Sequence, residues 1–204
     1  MEKQLDCRGL ACPQPVLRCK KCLETDRPAQ LTVTVDNQAA RENVSRYLTR
    51  EGYRVTVAEE NGLFVVTAVA ADAAMGTTHP DPTPAPRAQA EAGPKTVVFI
   101  TADTVGRGDA TLGAKLMGNF CATLPEMGDS LWRIILVNSG VKLAAAGSPV
   151  LDSLRALSAS GVSILVCGTC LDFFGLLQQK VLGDTTNMLD VVTSLALADK
   201  VIQI

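Results

Sequence analysis

Residues 70–95 read AADAAMGTTHPDPTPAPRAQAEAGPK, with five of the chain's ten prolines and no Leu, Ile, Val or aromatic residue. Such a stretch cannot bury a core, and its alternating prolines favour extended, polyproline-II-like chain. It reads as a Pro/Ala-rich linker over 71–94, which divides the 204 residues into a unit over 1–70 and another over 95–204. Fully extended, about 23 such residues reach ~70 Å; as a loose coil they span about 25 Å. The single histidine, His79, falls inside this stretch, which argues against an imidazole-dependent triad or metal site.

Composition narrows the setting. The chain is 47% apolar, enough for packed cores, and its 19 Lys and Arg against 21 Asp and Glu leave a net charge of −2. That balance makes no electrostatic case for nucleic acid or an anionic membrane as partner. The opening MEKQLDC lacks the apolar stretch of a signal peptide, and no run approaches the ~18 apolar residues of a membrane span. Seven cysteines, an odd number without an export signal, favour reduced thiols and a cytoplasmic location.

Before the linker the periodicity predicts strand, helix, strand, helix, strand, strand. KQLDC is short and extended, residues 13–25 are helical, and QLTVTVD (30–36) alternates with period 2. NQAARENVSRYLTREG (37–52) sets Ala40, Val44, Tyr47 and Leu48 on one face and stops at Gly52. YRVTVAEENGLFVVTAV (53–69) is a hairpin turning at Asn61-Gly62. A small βαβαββ two-layer sandwich is the economical way to bury these stripes. After the linker, TVVFIT, WRIILVN and SILVC are near-continuous apolar runs, each followed by helical sequence. They predict parallel strands covered on both faces, in a Rossmann-like open, mostly parallel sheet. Helices are expected near 109–124 and 148–160, and a last helix opening at Asp184 or Thr185 and running to about Ala198, before a closing strand KVIQI. The fold class is therefore α/β overall, an α+β unit followed by an α/β unit.

The sequence LDCRGLACPQPVL (5–17) places Cys12 before Pro13 and Pro15. Proline is tolerated in a helix's first turn, whose N–H groups have no intrahelical partner, so the helix is expected to begin just after Cys12. A thiol there gains from the helix dipole, which can bring such groups from ~8.5 to between about 3.5 and 7.5. The competing reading is a small buried cysteine. Cys19 and Cys22 form a CxxC in mid-helix, where Val16, Cys19 and Leu23 share an apolar stripe, so core packing is expected. The alternative is half of a zinc site completed by Cys167 and Cys170. Cys7, five residues before Cys12, is near enough to serve at most as a resolving thiol.

LDCRGLACPQPVLRCKKCL resembles the N-terminal signature of the TusA-like (SirA-like) sulfur-carrier family. The family's Cys-Pro-x-Pro motif matches Cys12-Pro13-Gln14-Pro15, and Asp6 and Gly9 match the residues ahead of it, over a resemblance covering about residues 3–70. The resemblance implies that Cys12 carries sulfur as a persulfide.

SILVCGTCLDFFGL (163–176) puts Cys167 at the end of a β-run and Cys170 three residues on, where a helix should begin. A strand-to-helix turn presents thiols near free N–H groups. One helical turn sets Cα atoms ~5 Å apart, within the range of a disulfide. Two small core residues, a reactive or persulfide-handling pair, and metal binding all remain open for Cys167 and Cys170. Residues 95–204 are similar to the DsrE-like family, whose members handle sulfur and commonly form homo-oligomers, and Cys167 matches the place of their reactive cysteine. The order TusA-like, linker, DsrE-like resembles YedF-like fusions of selenium metabolism, which implies selenium trafficking. In TADTVGRGDATLG (101–113), Gly108-x4-Gly113 is followed by Ala114-Lys115 rather than Lys-Ser or Lys-Thr, so the phosphate-binding loop fails. Gly106 and Gly108 read as a tight turn, Asp109 as a helix cap, and the Arg107-Gly108-Asp109 tripeptide as coincidence.

The expectation is a sulfur or selenium carrier and transferase without a cofactor or metal. Cys12 is the carrier thiol, Cys167 and Cys170 form a second site, and a persulfide donor such as a cysteine desulfurase and a downstream acceptor are its partners. A zinc-binding or assembly module, and a thiol–disulfide reductase using Cys167 and Cys170, stand beside it.

Overall fold

A computed structural model of the chain describes residues 1–70 and 93–204. The linker expected at 71–94, with His79, lies outside the described residues except for Gly93 and Pro94.

The first sheet is built from β1 (Glu2–Asp6), β2 (Gln30–Val35), β3 (Tyr53–Glu60) and β4 (Leu63–Ala70) in the order β1-β2-β4-β3. β1 and β2 are parallel; β4 runs antiparallel to both neighbours. Period-2 alternation decides which side is covered. Leu31, Val33 and Val35 of β2 and Val66 and Ala68 of β4 are buried, together with Val16, Cys19 and Leu23 of α1 (Gln14–Thr25) and Val44 and Leu48 of α2 (Gln38–Arg50). The β3–β4 hairpin turns through Asn61 (φ 53°) and Gly62 (φ 75°), the left-handed pair a two-residue hairpin loop requires. The βαβαββ sandwich is as expected.

The second sheet contains β5 (Thr96–Ile100), β6 (Leu131–Leu136), β7 (Ser163–Cys167), β8 (Asp184–Thr186) and β9 (Lys200–Gln203) in the order β8-β7-β6-β5-β9, every neighbouring pair parallel. It buries both faces. Val98, Ile100, Ile134, Leu136, Ile164 and Val166 face the cluster holding Met117 and Cys121 of α3 (Ala110–Thr123) and Leu154 and Leu157 of α4 (Leu151–Ala159). Val97, Ile135 and Leu165 pack with Val191 of α6 (Met188–Leu197) on the other side. Double burial explains why these strands read as unbroken apolar runs.

Two expectations are corrected. The last helix does not open at Asp184 or Thr185: residues 184–186 are β8, paired with Leu165–Cys167, and Asn187 caps α6 by accepting from the Leu189 and Asp190 N–H groups. A three-residue strand is too short to show a period, and Asp-Thr-Thr-Asn has the composition of a cap. The helix after SILVC begins not at Cys170 but at Gly168, as α5 (Gly168–Phe173), with Cys167 as its cap.

Leu154 is fully buried in the larger cluster. Replacing it by alanine is expected to cost about 2–5 kcal/mol, read as a lowered denaturant midpoint with little change in slope.

Candidate functional site

β1 ends at Asp6, and the Cys7 N–H extends its ladder by donating to the Thr34 carbonyl (2.8 Å). Arg8 folds back on Asp6, its guanidinium donating to the carboxylate and holding that carboxyl down to about 2. Gly9, at φ 67°, turns the chain, its N–H donating to the Asp36 carboxylate. This braced turn delivers Cys12 to the start of α1. Pro13 occupies the cap position and Pro15 the second helical residue, so Cys12 lies one residue outside the helix, not at its cap. The Gln14 N–H already donates to the Ala11 carbonyl (2.9 Å), which leaves fewer free donors there than the sequence implied.

The other N-terminal cysteines are core residues. Cys7 is buried beneath the sheet, which pushes its thiol up. Cys19 is fully buried and pushed up to about 12, chiefly by burial; Cys22 is half-buried and also raised by burial. Among the described residues no three His, Cys, Asp or Glu side chains come together as metal ligands, so Cys19 and Cys22 do not meet Cys167 and Cys170 in a zinc site. Cys121, absent from the candidates, packs in the larger core, raised to about 11 by burial. The glycine loop does what a helix entry requires: Asp109 caps α3 by accepting from the Leu112 N–H (2.8 Å), and a Cβ on Gly113 would sit 2.9 Å from the Val105 carbonyl oxygen.

Cys167 and Cys170 do come together. Cys167 is buried; Cys170 is half-buried as the third residue of α5. The neighbouring Cys167 thiol favours the Cys170 thiolate, the Asn138 N–H donating to its Sγ (3.1 Å) adds to this, and burial works against both. Cys170 is brought down to about 6, while Cys167 is driven strongly up by the same neighbour and by burial. Of the two thiols, Cys170 is the one whose surroundings favour the thiolate.

The two halves touch. α2 packs against α5 and β8, and a cavity of about 150 Å³ lies between them. Cys12 and Pro15 form one wall, Ala39 and Asn43 of α2 another, and Thr169 and Asp172 of α5 the third. Close approach depends on Gly168, where a Cβ would lie 3.2 Å from Ala39 Cβ and 2.9 Å from Thr185 Cγ2. Cys12 is half-buried here, near enough to Cys167 for its charge to raise that thiol, yet neither Cys167 nor Cys170 lines the cavity. The contact is clamped by Asp190 at the start of α6, which accepts from Arg46 and from Arg50 (3.1 Å), both on α2. Asn187 Nδ2 donates to the same carboxylate (3.1 Å), and Gln178 donates to Gln38 (2.6 Å) beside it. Sequence reasoning missed Asn43, Arg46, Asn138 and Asp190. Only Asn43 carried a signal, as a polar residue on the apolar face of α2.

The family described as DsrE/DsrF-like matches residues 63–204, and the one described as sulfurtransferase TusA matches residues 3–68. The chain belongs to the DsrE/DsrF-like family and carries a TusA-type domain ahead of that region. Over 59 residues it is 44% identical to the "Putative sulfur carrier protein MJ0990" of Methanocaldococcus jannaschii, covering 28% of this chain and 79% of that protein. Similar solved structures include a SirA-like protein from Desulfitobacterium hafniense (37% identity, 33% of this chain and 96% of that one, TM-score 0.31). The YchN protein of E. coli is another (18% identity, 54% and 99%, TM-score 0.44).

Alkylation by iodoacetamide, mapped by peptide mass, tests the second pair. With Cys170 lowered to about 6, its thiolate predominates at pH 7, and its rate should be flat above that and fall about tenfold per unit below pH 6. Cys167→Ser, which removes the largest lowering influence, should move the midpoint upward; a wild-type midpoint near 9 would contradict the assignment.

Proposed function

We propose that the protein is a sulfur or selenium carrier and transferase whose carrier thiol is Cys12. Residues 1–70 form the carrier domain, 71–94 the linker and 95–204 the DsrE-like domain. The observation that carries this reading is the position of Cys12: a half-buried thiol on a braced turn, opening onto a cavity shared with α5. The resemblance of Cys12-Pro13-Gln14-Pro15 to the TusA motif, and the similarity to a protein named as a sulfur carrier, support it.

In the first step Cys12 thiolate attacks the terminal atom of a donor persulfide, R–S–SH. A bond forms from Cys12 Sγ to that atom, the donor's S–S bond breaks, and the donor leaves as R–S⁻, with the proton retained on Cys12–S–SH. A second thiolate then repeats the exchange: Cys170 or an external acceptor takes the terminal SH, and Cys12 is regenerated as thiolate. Selenium in the terminal position follows the same balance. Because Cys170 Sγ does not line the Cys12 cavity, transfer within the chain requires α5 or the docked half to shift. The donor is a persulfide- or selenium-bearing protein such as a cysteine desulfurase, the working form is a cytoplasmic homo-oligomer, and no cofactor takes part. Among the described residues no helix is long and apolar enough to cross a membrane.

Incubation with a persulfide or selenium donor should add about +32 or +80 Da at Cys12. Cys12→Ser should abolish that adduct; equal loading of the variant would refute the reading. The lowered Cys170 beside Cys167 favours a second reading, thiol–disulfide exchange at that pair. There the protein's reduction potential would shift on Cys170→Ser, and Cys12 would be dispensable.

A further inference from the structure

Cys167 caps α5 and Cys170 is its third residue, so Gly168 and Thr169 are the two residues between the thiols. Those same two residues meet the other half of the chain. A Cβ on Gly168 would lie 3.2 Å from Ala39 Cβ and 3.3 Å from Asn43 Nδ2, both on α2, and Thr169 lines the cavity beside Cys12. The fit at Gly168 has little slack: a shift toward α2 meets Ala39, and a shift away gives up the contact. The two thiols stand within hydrogen-bonding reach of each other, and Cys170 Sγ also accepts from the Asn138 N–H (3.1 Å). Three residues apart at a helix entry, they are placed for a disulfide, which would draw the sulfurs to ~2.05 Å and close a ring around Gly168 and Thr169.

We propose that the Cys167–Cys170 pair is a redox switch on the docking of the two halves. Reduced, it holds Gly168 and Thr169 in the shape that α2 fits; its disulfide loosens that contact and opens the cavity beside Cys12. The oxidant is a low-molecular-weight disulfide, R–S–S–R. The half-buried Cys170 thiolate attacks one of its sulfurs, a Cys170–S–S–R bond forms and R–S⁻ leaves. Capping Cys170 removes the largest influence that kept the Cys167 thiol protonated. Cys167 then gives up its proton and attacks Cys170 Sγ, the mixed disulfide breaks, and a second R–S⁻ leaves. Overall the pair loses two electrons and two protons, and R–S–S–R becomes two R–SH. In the ring Cys170 Sγ carries no charge for the Asn138 N–H to favour, which frees the first turn of α5 to move. Coupling of this kind is reciprocal, so docking in turn holds the pair reduced. The switch does not depend on whether Cys12 carries sulfur.

The test equilibrates the full-length protein in glutathione buffers of set potential at one pH, traps free thiols by alkylation, and quantifies the Cys167–Cys170 disulfide by peptide mass. Two variants disturb docking from the other half: Ala39→Leu, which adds bulk against Gly168, and Arg46→Met, which unties α2 from Asp190. Neither side chain is among the influences on the two thiols, so an effect on the pair has to travel through the contact. In each variant the pair should be about tenfold easier to oxidise than in wild type, a midpoint ~30 mV more negative. A redox pair uncoupled from docking would keep the wild-type midpoint in both folded variants, and that result overturns the inference. If Ala39→Leu fails to fold, Arg46→Met decides. A disulfide from Cys12 to Cys170 in place of Cys167–Cys170 also overturns it, because that bond would tie the halves together instead of parting them.

Discussion

The carboxylate of Asp190 is the constraint on which the site depends. It is held from its own side by Asn187, the cap of α6, and by Thr186 at the end of β8, and so arrives at the interface already oriented. Two arginines of α2 then close on it, Arg46 largely buried and Arg50 at the rim. A carboxylate satisfied from both sides loses little further freedom when the halves meet, which is what makes a mostly polar contact specific. Removing that clamp leaves the Gln38–Gln178 hydrogen bond and the packing at Gly168 to hold α2 against α5.

The thiols divide by where they sit. Those inside the cores, Cys7, Cys19 and Cys121, are pushed up by desolvation and act as small apolar residues. Cys12 and Cys170, both half-buried, lie at the margins of the two halves. Cys12 owes its access to a turn braced by Asp6, Arg8 and Gly9, whereas Cys170 owes its thiolate character to Cys167 and to one backbone N–H. One fold thus presents two different solutions for exposing sulfur, one on a turn that faces α5 and the other within α5 itself.

Much of this was legible in the amino-acid order because the signals are local. Alternation in QLTVTV, the Asn61-Gly62 pair and the apolar runs of β5, β6 and β7 each reflect a few neighbouring residues facing a single environment. The Cys12 and Cys167–Cys170 positions were visible for the same reason, as short motifs at element boundaries. What escaped was of two kinds. β8 is too short for a period and is written in cap residues, so its strand character comes wholly from pairing with β7. The Arg46–Asp190 pair and the Asn138 N–H donor are separated from their partners by tens of residues or more, and depend on how the halves and loops pack. Asn43 lay between: its place on an apolar helical face was readable, but the cavity it lines was not.

Docking α5 over the Cys12 turn makes access a competition rather than an encounter. A donor seeking that face meets a rival on the same chain. Its apparent affinity is then reduced to the fraction of molecules whose halves have parted. Under the carrier reading, the choice among donors then depends on how often the halves separate as well as on the reactivity of sulfur.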